Sequence, residues 1–135
     1  MFWLSHHRPD EYHRTYAVGG VRVCARCAGL YPTMFAGLAA QLALHAPLDG
    51  PFDPVLALAL PLPALADWAV GHLRPAAGSN AQRTATGVLL GISLARTLFV
   101  HFVRPFHVLL LAQALLVTAV ALPVILVGYV RRKGA

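Results

Sequence analysis

Four apolar runs decide what this chain can fold into. They lie near residues 28–46, 54–72, 84–103 and 106–130, each close to the roughly twenty residues an α-helix needs to cross about 30 Å of hydrocarbon. They predict an all-α fold, a four-helix transmembrane bundle forming one integral membrane domain over 1–135. The polar segment 1–27 is expected to fold over the cytoplasmic end of that bundle. A chain of 135 residues that is 58% hydrophobic and 12% charged leaves no room for a separate soluble domain. Its first apolar run also begins too late for a secretory signal.

The net charge of +6 follows the topology. Arg8, Arg14, Arg22 and Arg26 precede the first run, Arg74 and Arg83 separate the second from the third, and Arg131, Arg132 and Lys133 follow the fourth. The opposite loops hold Asp49, Asp53 and Arg104. Short loops rich in Lys and Arg stay cytoplasmic, so both termini are expected inside, in the cytoplasmic (inner) membrane. A nucleic-acid surface is not expected; the partners are membrane lipids.

Small residues recur four apart in the third run (Gly87, Gly91, Ala95) and in the first (Gly29, Thr33, Gly37). Such rows let backbones approach closely, within one bundle or between copies in a homo-oligomer. Pro61 and Pro63 each remove a backbone donor, so the second run should bend. Gln113 and Thr118 are the polar features of a structural fourth run. Arg96, near the outer boundary, is expected to snorkel to the interface. His45, His101 and His107 fall at run ends as interfacial residues, and His13 is expected in solvent.

The remaining polar residues gather at the cytoplasmic end. "SHHRPDEYHRTYAVGGVRVCARC" carries His6, His7, His13, Cys24 and Cys27, and "ADWAVGHLRP" carries Asp67 and His72. "GSNAQRTATG" adds Ser79, Asn80, Arg83 and Thr86, with Ser79 or Asn80 as N-cap of the third helix. Cys24 and Cys27, the only cysteines in the chain, have the spacing that lets two thiolates hold one zinc ion. His6, His7 and His72 are candidate further ligands, with Asp67 as an oxygen alternative. Thiol–disulfide chemistry competes with metal for the same pair, but such membrane oxidoreductases usually need a second cysteine pair. Asp67, close to the membrane boundary, calls for a partner, and Arg83 or the metal could serve.

These residues carry a resemblance. The pattern His…Pro…Arg-Ser/Thr-aromatic…Cys-Ala-Arg-Cys-x-Gly…Asp…Ser-Asn-x-x-Arg-x-x-Thr-Gly is met by His6, Pro9, Arg14-Thr15-Tyr16, Cys24 to Gly29, Asp67, Ser79-Asn80, Arg83 and Thr86-Gly87. It resembles a prokaryotic family of small integral membrane proteins known only as a domain of unknown function. Ser5 stands where that family often has cysteine, and Trp68 where glycine usually follows the Asp. The resemblance implies a common polar site and supplies no reaction.

Two classes of function fit. In an enzyme, zinc would activate water beside Asp67 as general base, with Asp67 and Arg83 catalytic, and Arg14, Arg26, Asn80, Arg83 and Thr86 would hold a lipid-linked phosphate. In a non-catalytic module, a closed zinc knot would staple the N-terminal segment to the bundle, for interaction, sensing or accessory transport.

Overall fold

A computed structural model describes residues 9–134. A 3-10 turn over Pro9–Arg14 leads into β1 (Thr15–Val18) and β2 (Val21–Cys24). These form an antiparallel hairpin that pairs Thr15 with Cys24 and Val18 with Val21. Gly19 and Gly20 make its two-residue turn with φ of +55° and +78°, a conformation that tight hairpins require and glycine adopts without strain.

Four α-helices follow: α1 (Ala25–Ala43), α2 (Leu62–Leu73), α3 (Asn80–Val103) and α4 (Val108–Lys133). Among the described residues, three stretches are long and apolar enough to cross a membrane: Val55–Leu73, Asn80–Val103 and Val108–Arg131. The first expected span, α1, carries Arg26 and Gln41 within its 19 residues, and these dilute its apolar content. α3 starts at Asn80, ahead of its apolar run, with Ser79 as the expected N-cap: Ser79 Oγ accepts the Gln82 N–H at 3.2 Å, satisfying a donor that a helix start would otherwise leave open.

Pro61 and Pro63 interrupt the second span as expected. The chain passes through a one-turn π-helix over Val55–Ala59 before α2 begins. Pro61 has no N–H to offer the Ala57 carbonyl one turn back. Gln113 of α4 supplies that donor at 3.0 Å, and the same Nε2 donates to Ser93 Oγ on α3 at 2.5 Å. The polar residue of an otherwise apolar α4 thus repairs a backbone defect in its neighbour.

α1 and α3 run parallel in close contact: Gly29 lies against Thr84 near the start of both helices, and Gly37 lies against Ala95 further along. A side chain on Gly29 would collide with the Thr84 carbonyl, and one on Gly87 with the Arg26 carbonyl. At Gly91 a Cβ would come within 2.6 Å of the Leu30 carbonyl. Thr84 Oγ1 donates across the contact to the Ala25 carbonyl at 2.9 Å. The small-residue rows of both helices therefore serve packing inside one chain.

Arg96 corrects an expectation. It does not snorkel: at 8% exposure it is buried, with Nε and Nη2 each donating to an Asp53 carboxylate oxygen at 2.7 Å. It also donates to the Pro47 carbonyl and to Gln41 Oε1, at 2.9 and 3.2 Å. Burial beside a two-pronged carboxylate replaces the hydration that snorkelling would have kept. The apolar cluster of Ala57, Phe99, Val100 and Leu109 lies at this end of the bundle. His101 Nδ1 and His107 Nδ1 accept the backbone N–H groups of Phe106 and Leu109, so both histidines cap loop turns here.

Gly29→Ala and Gly87→Ala should each cost about 1–3 kcal/mol or more, because backbone rather than a side-chain tip must move. Thermal unfolding in detergent should show lowered midpoints for both and none for Gly134→Ala, whose added methyl meets its nearest atom at 3.7 Å. Asp53→Asn should cost about 3–5 kcal/mol by leaving a buried guanidinium without its charge partner. Asp49→Asn, which breaks an exposed pair with Arg104, should cost about 0–1 kcal/mol. The Arg96 guanidinium holds the Asp53 carboxyl below the usual carboxylate range. Its contribution is thus full above a pH of about 4 and lost as pH falls through the lowered value. Wild type and Asp53→Asn should converge in stability only in strong acid.

Candidate functional site

At the end opposite Asp53, the 3-10 turn, the start of α1, the end of α2 and the start of α3 enclose a cavity of about 240 Å³. The N-terminal segment closes over it through hydrogen bonds. Arg14 Nη2 donates to the carbonyls of Gly71 and Pro75 at 2.7 and 2.8 Å. Asn80 Nδ2 donates to the Thr15 carbonyl at 3.3 Å, and the hydroxyls of Tyr16 and Thr84 meet at 3.0 Å. His13 is exposed, with Nε2 3.1 Å from the Pro75 carbonyl.

Three guanidinium groups and two carboxylates line the cavity: Arg14, Arg26, Arg83, Glu11 and Asp67. Arg14 Nη1 pairs with Glu11 at 3.3 Å. Arg26 Nη2 pairs with Asp67. Asp67 is 8% exposed and Arg83 5%, yet no ion pair joins them. Arg83 instead donates to the Ala77 carbonyl at 2.6 Å and to Asn80 Oδ1 at 3.4 Å. The expected Asp67–Arg83 pair is thus replaced by Asp67–Arg26, because the first turn of α1 reaches the carboxylate directly. Both Asp67 and Arg83 still border Gly78, whose φ of +82° turns the α2–α3 loop and whose missing Cβ leaves them room.

The cysteines lie on the same wall. Cys24 precedes α1 and Cys27 stands in its first turn, and both line the cavity without a disulfide between them. The Cys27 side chain hydrogen-bonds that of Cys24. His72 lines the opposite wall, its ring stacked on Trp68 at 5.3 Å between centroids. Among the described residues, no three His, Cys, Asp or Glu side chains stand together as a metal site. His6 and His7 lie outside the described residues.

Of the proposed headgroup contacts, Arg14, Arg26 and Arg83 line the cavity, whereas Asn80 and Thr86 do not. Asn80 orients Arg83, and Thr86 Oγ1 donates to the Arg83 carbonyl at 3.1 Å within α3. Glu11, Leu30, Trp68 and Gly71 also line it and were not foreseen. Leu30 could have been found from sequence, since it lies one helical turn beyond Arg26 on the same face.

Three buried side-chain nitrogens lack a hydrogen-bond partner among the described residues: Arg14 Nε, Arg26 Nε and His72 Nε2. All three belong to side chains that line this cavity. Buried polar atoms are ordinarily hydrogen-bonded, so three such nitrogens on side chains that line one cavity are an exception.

No curated protein and no solved structure matches the chain. Residues 7–97 match the family described as predicted membrane protein (DUF2085), a family of unknown function. That stretch takes in every residue lining the cavity, and the chain belongs to this membrane-protein family.

Proposed function

We propose that the cavity binds a phosphate-like oxyanion at the cytoplasmic face of the inner membrane, and that α1 crosses beside α3 as a fourth span. The unpartnered nitrogens of Arg14, Arg26 and His72 carry this reading. Arg83 supports it: among the described residues its buried guanidinium hydrogen-bonds only to neutral groups, while the nearby Asp67 carboxylate is paired with Arg26. The cytoplasmic placement rests on Arg14, Arg22, Arg26, Arg74 and Arg83 at the cavity end, against Arg104, Asp49 and Asp53 in the opposite loops. At about 28 Å from 19 residues, α1 is close to bilayer thickness.

Binding is preferred to hydrolysis. Asp67, the candidate general base, is already committed to Arg26 and so positions that guanidinium rather than accepting a substrate proton. In detergent-purified protein, inorganic phosphate should raise the unfolding midpoint, through a stability gain of about 2.7 kcal/mol at a hundredfold excess over Kd. Arg83→Gln should remove most of that rise, and Arg83→Lys should retain part of it. A phosphate-independent midpoint in the wild type would overturn the reading.

A second reading is favoured by the hydrogen-bonded side chains of Cys24 and Cys27 on the wall of a cavity that His72 also lines. A zinc ion drawing these three together would staple β2 to α2 and leave a coordination position open. Disulfide exchange would use the same pair, but the chain has no second pair to pass electrons on. Mass-spectrometric metal analysis should find about one zinc per chain, lost in Cys24→Ser/Cys27→Ser. Metal-free protein from zinc-supplemented growth would reject the ion.

A further inference from the structure

We infer that the anion is carried by a membrane lipid: the phosphate of an anionic phospholipid sits against Arg26 and Arg83, and its chains leave between α1 and α2, past Leu30 and Trp68. This rests on the anion-binding reading above, with α1 as a fourth span, and adds the ligand's source to it.

Helix packing supplies the first argument. α1 packs along α3, and α2 packs on α3 and α4; among the described residues α1 and α2 make no comparable contact with each other. The cavity lies across that gap. Arg26, Cys27 and Leu30 line it from α1, Asp67 and Trp68 from α2, and Arg83 from α3. The aqueous end is the covered one. Arg14 donates to the Gly71 and Pro75 carbonyls, Asn80 donates to the Thr15 carbonyl, and the Tyr16 hydroxyl meets that of Thr84. These bonds fasten the N-terminal turn and hairpin over α2 and α3, whereas α3 is the helix that packs against both α1 and α2. A basic pocket between spans at the cytoplasmic side is a recurrent way to hold a lipid headgroup.

Depth supplies the second. α3, at 24 residues, is about 36 Å long. That exceeds the hydrocarbon layer of roughly 30 Å and falls short of the 40–45 Å or so that includes the headgroups. Its ends therefore reach the headgroup layers, and Arg83 lies in its first turn. Leu30 is five residues into α1 and Trp68 five residues before the end of α2, each about 7.5 Å from the cytoplasmic end of its helix. Asp67, at the depth of Trp68, is paired with Arg26. From the cytoplasmic end inward the wall thus runs from guanidinium groups to apolar side chains, the order in which a phospholipid presents its phosphate and its chains. Trp68, with one apolar face and one polar edge, suits that boundary.

The donors and the volume fit the same ligand. Arg14 Nε and Arg26 Nε are buried without a partner among the described residues, and Arg83 hydrogen-bonds only to neutral groups. Non-bridging phosphate oxygens can accept from all three and bring the negative charge that neutral acceptors lack, whether the phosphate is a monoester or a diester. The cavity, about 240 Å³, is smaller than the 300–1,000 Å³ or so that encloses a whole drug-sized ligand. It holds a headgroup and leaves the chains outside. A free phosphate has no apolar part to set against Leu30 and Trp68.

The test maps where a lipid touches the full-length protein. Phosphatidylglycerol carrying a diazirine near the start of one acyl chain is mixed at low abundance into phosphatidylcholine vesicles that hold the protein, and labelled residues are located by mass spectrometry. A phosphatidylcholine probe with the same diazirine gives the background, since any lipid will touch exposed apolar residues such as Leu115 and Leu122 of α4. Labelling around Leu30 and Trp68 should exceed that background about tenfold, the equivalent of roughly 1.4 kcal/mol. Unlabelled phosphatidylglycerol should compete it away, and inorganic phosphate at the same concentration should not. Arg83→Gln should abolish the excess. Arg22→Gln, which alters a guanidinium stacked on Tyr12 outside the cavity, should keep it. Because the comparison of the two probes uses the wild type, misfolding of a variant cannot mask the result.

Equal labelling by the two probes around Leu30 and Trp68, in a protein whose unfolding midpoint still rises with inorganic phosphate, would overturn the lipid source and leave an anion site standing. Loss of the phosphatidylglycerol labelling to inorganic phosphate at equal concentration would do the same. Equal labelling together with a phosphate-independent midpoint would remove the anion-binding reading as well.

Discussion

The contact between α1 and α3 is the constraint on which the rest of the molecule depends. Gly29 and Gly87 bring each backbone against a carbonyl of the other helix, and Thr84 hydrogen-bonds across the gap. With no Cβ at those points the helices pack by backbone, which fixes their separation and axial register more tightly than long side chains could. Register matters because Arg26 and Cys27 sit beside that contact on α1, and Arg83 sits beside it on α3. Their meeting in one cavity follows from where the glycines fall.

Each end of the bundle then meets a buried charge in its own way. At the far end Arg96 takes both oxygens of Asp53 and two further acceptors, a closed arrangement in which all three guanidinium nitrogens donate. That saturation fits a clamp. At the cavity end Asp67 holds Arg26, but among the described residues Arg83 finds only neutral acceptors, and Arg14 Nε, Arg26 Nε and His72 Nε2 find no partner. Burying a charge costs several kcal/mol unless it is matched. Within one small bundle, the far end shows what full compensation looks like, and the contrast marks the cavity end as a place for something else.

Much of this was legible in the sequence, and the misses have physical causes. Apolar length located all four helices, the small-residue rows located the α1–α3 contact, and the two prolines located the break before α2. The cavity residues Cys24, Cys27, Asp67, His72 and Arg83 could be named because polar groups in an apolar chain stand out. Pairing was harder. Asp67 was matched to Arg83 by nearness in sequence, but the parallel approach of α1 brings Arg26 closer, a fact of tertiary packing. Arg96 was read one helix at a time, where snorkelling is the cheap solution; the loop that carries Asp53 beneath it is invisible at that level. The hairpin is legible in "AVGGVRV", which has the Gly-Gly turn between strand-forming residues.

The topology itself gives the cavity its sign. α1 and α3 run parallel, so both present N-termini to the same end, and neither has an acidic residue in its first turn. A helix N-terminus carries about half a positive charge, and each first turn here adds to it instead of offsetting it, through Arg26 on α1 and Arg83 on α3. α2 arrives with its C-terminus, whose carbonyls would moderate this field, but Arg14 occupies the Gly71 and Pro75 carbonyls. The usual rule places carboxylates at helix starts and cations at helix ends. This chain reverses it at both helix starts that face the cavity and answers with one buried carboxylate, Asp67. An anion supplied from outside the chain, as proposed above, would complete that arrangement.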